Sequence, residues 1–194
     1  MTDRTFLSFW LRGFTEHNMM RHWLKVLELF PYSKFSPEAV LRVYALEFQE
    51  PPLLERRFDY ETEAADVVEA AQEFSNPDCA YQLACCWDVW QFDAEEETWN
   101  LRPAHVTIAC FAPLFESEMG EQISIEFNRH SSFLLEQKDG GSMTAIRSNI
   151  RGLLRLASEI EQNLPVAKRM LWSESGDSLA EQLQMTLDTG AEPN

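Results

Sequence analysis

CAYQLACCWDVWQF (residues 79–92) and WNLRPAHVTIACF (residues 99–111) decide the architecture, and QISIEFNRHSSF (residues 122–133) extends it. In the first, Tyr81, Leu83, Cys85, Trp87 and Val89 fall on one side of a strand. Val106, Ile108 and Cys110 do so in the second, and Ile123, Ile125 and Phe127 in the third. An acidic turn over 93–98 and a second turn over 116–121 join them. Together they predict an antiparallel meander with one continuous apolar face.

Upstream, 5–14 reads as a strand in which Leu7, Phe9 and Leu11 alternate with Phe6, Ser8 and Trp10. Aromatic residues on both sides imply that both faces are partly covered. Thr15 is placed to cap a helix carrying Met19, Met20, Trp23, Leu24, Leu27 and Phe30 at spacings of three and four. A second strand spans 40–48 and stops at Pro51-Pro52, 53–60 is a short extended piece, and 62–74 fits a helix with Val67, Val68 and Ala71 inward. Downstream, Asp139-Gly140-Gly141-Ser142 breaks the chain. The helix over 143–164 then buries Ile146, Ile150, Leu153, Ala157 and Ile160 and ends before Pro165. The expectation is one α+β domain over residues 1–165, an antiparallel sheet of about five strands with helices on one face. The order is strand, helix, strand, helix, three-strand meander, long helix, which resembles a ferredoxin-like or TATA-binding-protein-like topology. Residues 166–194 read as a linker, a short helix over 179–187 and a frayed end.

The chain has 194 residues, 45% hydrophobic and 25% charged, an ordinary globular balance. Its formal charge is −16, spread as +2 over residues 1–34, −14 over 35–120 and −4 over 121–194. So negative a surface repels a phosphate backbone and attracts basic partners; no nucleic-acid partner is expected. No apolar run is long enough to cross a membrane, and 6–14 is too short, carries Arg12 and lacks a cleavage site, so no membrane association and no signal peptide are expected. The cysteines, Cys79, Cys85, Cys86 and Cys110, have no disulfide-framework spacing and read as reduced thiols of a cytoplasmic protein. No metal or cofactor is expected. His17 and His22 lie about 140° apart around their helix, and adjacent Cys85 and Cys86 point to opposite sides of a strand.

No motif specifies a reaction. Gly176-Asp177-Ser178-Leu179 resembles the GDSL block of a family of esterases, which implies a nucleophilic serine. Here the block stands in a polar linker with no Asp-x-x-His after it, and Ser178 with Glu181 forms a capping box. A second candidate is the sheet face away from the long helix. If Phe92 pairs with Trp99, then Cys86 lies opposite His105, with Asp88 and Glu126 on the same face. Thiol, imidazole and carboxylates could support nucleophilic or general acid–base work there, and the plainer reading is a half-exposed polar sheet. The third is an anion site from Gly140, Gly141 and Ser142 at a helix start with Arg147 and Arg151, against a solvated helix face in which Arg155 pairs with Glu159. The fourth is a partner-binding patch: Trp90, Phe92 and Trp99 ringed by Glu95, Glu96 and Glu97, with Trp172 from the linker. The favoured expectation is a non-enzymatic protein-interaction module that binds a basic protein or its own copy, with a homodimer through the C-terminal tail. The alternative is a small-ligand binder or enzyme on the open face around Cys86, His105 and Glu126.

Overall fold

The computed structural model describes residues 4–59, 62–93, 95–127 and 143–173. The long hairpin dominates it. β4 (Cys79–Asp93) and β5 (Thr98–Phe111) pair antiparallel without a break from Ala80↔Phe111 to Asp93↔Thr98. Its turn is pinned by Asp93, whose carboxylate accepts the N–H groups of Glu95 and Glu96 at 3.0 and 3.3 Å and the Arg102 guanidinium at 2.6 Å. Those backbone donors, with Arg102 beside them, hold the Asp93 pKa below the ordinary carboxylate range.

The remaining strands are β1 (Thr5–Leu11), β2 (Ala39–Ala45), β3 (Leu54–Phe58), β6 (Ile123–Phe127) and β7 (Val166–Ser173). They complete a seven-stranded sheet in the order β3-β2-β4-β5-β6-β1-β7, with every neighbouring pair antiparallel. The α+β class with an antiparallel sheet is as expected. The count of about five strands is not, and an order with β1 between β6 and β7 departs from the ferredoxin-like and TATA-binding-protein-like arrangements. The sheet also passes the expected boundary at 165, because β7 pairs with β1 from Thr5↔Ser173 to Leu11↔Val166. Both additional strands lie at the sheet edges, where a charged, half-solvated sequence is tolerated and protects the edge from further pairing. β3 reads LERRF, and β7 carries Lys168 and Arg169. The expected helix over 179–187 and the GDSL block lie outside the described residues.

One face of the sheet holds the core. Leu7, Phe9, Leu41, Val43, Tyr81, Leu83, Cys85, Val106, Ile108, Cys110, Ile123 and Ile125 are all buried there. The helices α1 (Met19–Leu29), α2 (Ala64–Gln72) and α3 (Met143–Asn163) supply the other half. Trp23 and Val26 of α1, Val67 and Ala71 of α2, and Ile146, Ile150, Leu153, Ala157 and Ile160 of α3 join this core at the three- and four-residue spacing of their stripes. Gly152 lets α3 come close: a β-carbon there would stand 3.1 Å from the Trp87 ring. Helix α1 starts from Asn18 rather than Thr15. The Asn18 side chain accepts the Thr15 N–H at 2.9 Å and donates to the Gly13 carbonyl at 2.8 Å.

Beyond Ala84, β4 has no β2 partner, and its edge is closed by other means. The Ser33 N–H donates to the Cys86 carbonyl at 2.7 Å. Buried Asn149 of α3 acts as a substitute strand: its Oδ1 accepts the Trp90 N–H at 2.9 Å and its Nδ2 donates to the Trp90 carbonyl at 2.8 Å.

Candidate functional site

The even-numbered residues of β4 face away from the helices. The register pairs Cys86 with His105, Phe92 with Trp99, and Thr107 with Glu126. Cys86 Sγ lies 3.6 Å from His105 Nδ1, with the ring exposed and the thiol buried. Asp88 does not join them. Its carboxylate accepts the Ser33 hydroxyl and, at 2.8 Å, the Lys34 N–H, so it holds the loop over residues 31–36. Glu126 is two strands from Cys86 and forms an ion pair with Arg4 at 3.0 Å. The four side chains therefore resolve into one thiol–imidazole pair and two separately engaged carboxylates. The other thiols lie on the core side; burial raises the pKa of Cys85 and Cys110, and burial with Asp78 raises that of Cys79. All four cysteines are free.

The aromatic patch expected at the acidic turn is only partly assembled. Trp90, Phe92 and Trp99 are half-buried, and the Phe92 and Trp99 rings pack on each other with centroids 5.7 Å apart. Glu95, Glu96 and Glu97 are exposed beside them. Trp172 is elsewhere: in β7 it stacks on Phe6, with centroids 4.3 Å apart, and its indole N–H donates to Ser8 Oγ at 3.1 Å. Of the anion site, Gly140, Gly141 and Ser142 lie outside the described residues. Arg147 is half-buried and Arg151 exposed on α3, and Arg155 pairs with Glu159 at 2.9 Å.

A concavity lies on the same open face, at a different place. It is a groove of about 390 Å³ running across β2, β4, β5, β6, β1 and β7. One wall is the Phe6–Trp172 stack, with the Arg4 guanidinium 5.5 Å above Phe6. The opposite wall is Tyr44, Phe48 and Phe111; Phe48 packs edge-on against Tyr44 at 5.1 Å and is backed by Phe115 at 5.1 Å. Exposed Glu118 stands on the rim, while Glu121, which also lines the groove, is buried and accepts the Met119 N–H at 3.0 Å. The floor is Gln82, Thr107, Ala109 and Ser124. Neither Cys86 nor His105 lines this groove. Comparison with family models, with characterised proteins and with solved structures finds no match. The site must therefore be read from its own chemistry.

That chemistry is specific. Ser124 is 5% exposed, lines the groove and makes no side-chain hydrogen bond to a described residue; nor do Gln82 and Thr107. Aromatic walls around a few polar groups with spare hydrogen-bonding capacity are the composition of binding pockets. Carboxylates beside aromatic faces favour a cation. The sequence held one clue to the groove, the aromatic residues on both sides of 5–14; the buried Phe6 under Trp172 accounts for them. Tyr44, Phe48, Phe111 and Phe115 were not singled out, because their convergence depends on how the segments 46–53 and 112–121 fold over the sheet. Among the described residues no cluster of three or more His, Cys, Asp or Glu is arranged to hold a metal ion, and no helix is long and apolar enough to cross a membrane.

Proposed function

We propose that this protein is a non-enzymatic binding module whose recognition surface is the sheet face opposite α1, α2 and α3, and that it binds a basic protein segment. The observation that carries the reading is the groove: aromatic on both sides, with Glu118 at the rim and on its floor the hydroxyl of Ser124, which bonds no described side chain. The net charge of −16 supports it by raising the encounter rate with cationic partners. This reading moves the binding surface from the acidic turn to the groove. Four free cysteines are compatible with work in a reducing compartment such as the cytoplasm.

The test is charge reversal at two exposed sites, read by anisotropy of a labelled Lys/Arg-rich peptide at low and moderate salt. Glu118→Lys is expected to weaken binding by about tenfold and Glu96→Lys by less than about twofold. The reverse ranking would return the surface to the turn.

One observation favours a second reading, a small-ligand or reactive site at Cys86: the 3.6 Å approach of His105 to a thiol outside the helix-facing core. Iodoacetamide labelling followed by peptide mass spectrometry at neutral pH checks it. Cys86 should label first and His105→Gln should slow it. Labelling of Cys86 no faster than Cys110 would remove this reading.

A further inference from the structure

The end of the sheet beside the groove is apolar as well as open. Leu46 is 68% exposed and Leu114 71%, with Phe48 at 43% and Met119 at 46%. The Leu46 and Leu114 N–H groups donate to the carbonyls of two consecutive residues, Asp78 at 3.0 Å and Pro77 at 2.7 Å, so the two leucines flank one short stretch of chain. Phe48 is itself a groove wall, and Met119 follows Glu118 on the rim. Single exposed leucines are ordinary. Four large apolar side chains around one groove end form a patch of the kind that marks interaction sites. Leu46 also holds φ at +66°, a left-handed conformation that favours glycine, while its side chain projects into solvent. Among the described residues Leu46 belongs to no core cluster, and backbone strain of this sort concentrates at functional positions.

Inside the groove, the protein's own Arg4 demonstrates the chemistry. Its guanidinium lies over Phe6 and bonds Glu126, both groove residues. Beyond it, the Glu118 carboxylate and the Ser124 and Thr107 hydroxyls offer acceptors between aromatic faces that would cover an aliphatic stem.

Resting on the reading above, we infer that the occupant is an extended segment of a partner protein carrying an arginine or lysine. The cationic side chain enters the groove, and neighbouring apolar residues of the segment cover Leu46 and Leu114. The net charge of −14 over residues 35–120, which contribute most of this surface, supplies the complementarity.

The experiment is selection of a random dodecapeptide library on the immobilised full-length protein, followed by affinities of the synthesised winners. Winners should carry arginine or lysine beside leucine, isoleucine or phenylalanine. Norleucine in place of the basic residue, Leu114→Ser and Leu46→Gly should each weaken binding by about tenfold. Glu118→Gln should weaken it less, and circular dichroism confirms that each variant is folded. Winners lost on Phe48→Asp and Glu118→Gln but lacking a basic residue would overturn this inference and leave the groove as a binding surface. Winners indifferent to Phe48→Asp, Leu114→Ser and Glu118→Gln, or no enrichment over an unrelated control protein, would overturn both.

Discussion

The two faces of this sheet are made by the same strands in the same register, yet they obey different rules. On the helix side, β4 presents Tyr81, Leu83, Cys85, Trp87 and Val89, and every one is buried. On the other side it presents Ala80, Gln82, Ala84, Cys86, Asp88 and Trp90, small or polar until the end. The first set is what burial against three helices requires. The second leaves room: at one end Phe111 and Phe115 pack over Ala80 and Ala109 in a small second cluster, and the rest is bordered by Phe6, Tyr44, Phe48 and Trp172 as the walls of the groove. One face has stability as its explanation, and the other has unspent hydrogen-bonding and apolar surface.

Adjacent residues give the sharpest contrast. Leu83→Ala removes a side chain that is 1% exposed and should lower unfolding free energy by about 2–5 kcal/mol. Gln82→Ala, one residue away on the groove floor, should change it by less than about 0.5 kcal/mol. Denaturant titration of both decides whether the faces differ as described; equal losses would erase the distinction.

Asn149→Ala comes next. It deletes both hydrogen bonds to Trp90 and leaves that backbone unpaired at the closed edge of β4. A loss of about 2–3 kcal/mol is expected, with faster amide exchange at Trp90. Leu46→Gly should move stability the other way, by up to about 1 kcal/mol, through release of the left-handed strain. A thermal midpoint that rises while peptide affinity falls would show that the strain serves the open face. A midpoint that falls would mean that Leu46 is structural.

The smallest effect is at the hairpin turn. The folded-state pKa of Asp93 is depressed by the Glu96 and Glu95 N–H groups and Arg102. Its contribution is therefore present above the unfolded carboxylate pKa of about 3.9 and disappears as pH falls through the lower folded value. Asp93→Asn should be slightly less stable than the parent at neutral pH, with the gap closing as pH falls through the depressed folded value. A gap independent of pH would assign the turn to side-chain shape rather than charge.

The helix-side face was legible in the sequence because burial imposes a period. The alternation in 79–92 and 99–111 fixes which residues share a face but leaves the register open; the register that pairs Phe92 with Trp99, and so Cys86 with His105, is the one the structure has. The stripe of α3 was equally plain, but the hydrogen-bonding role of Asn149 beside it was not, because a polar residue next to an apolar stripe reads as solvent-facing. The edge strands were less legible: 53–60 reads only as a short extended piece and 166–173 as a linker, since an edge strand half in water need not be amphipathic. The groove was least legible of all. Its walls come from residues as distant as Phe6, Phe48, Phe111 and Trp172, and no local spacing records that convergence.

The most direct test of the open face as the recognition surface is a ¹H–¹⁵N titration of the full-length protein with a library-selected peptide. Shifts should concentrate on the amides of Gln82, Thr107, Ala109 and Ser124 and on the Trp172 indole. Shifts centred instead on residues 95–99 of the turn, or on the outer sides of the helices, would contradict it.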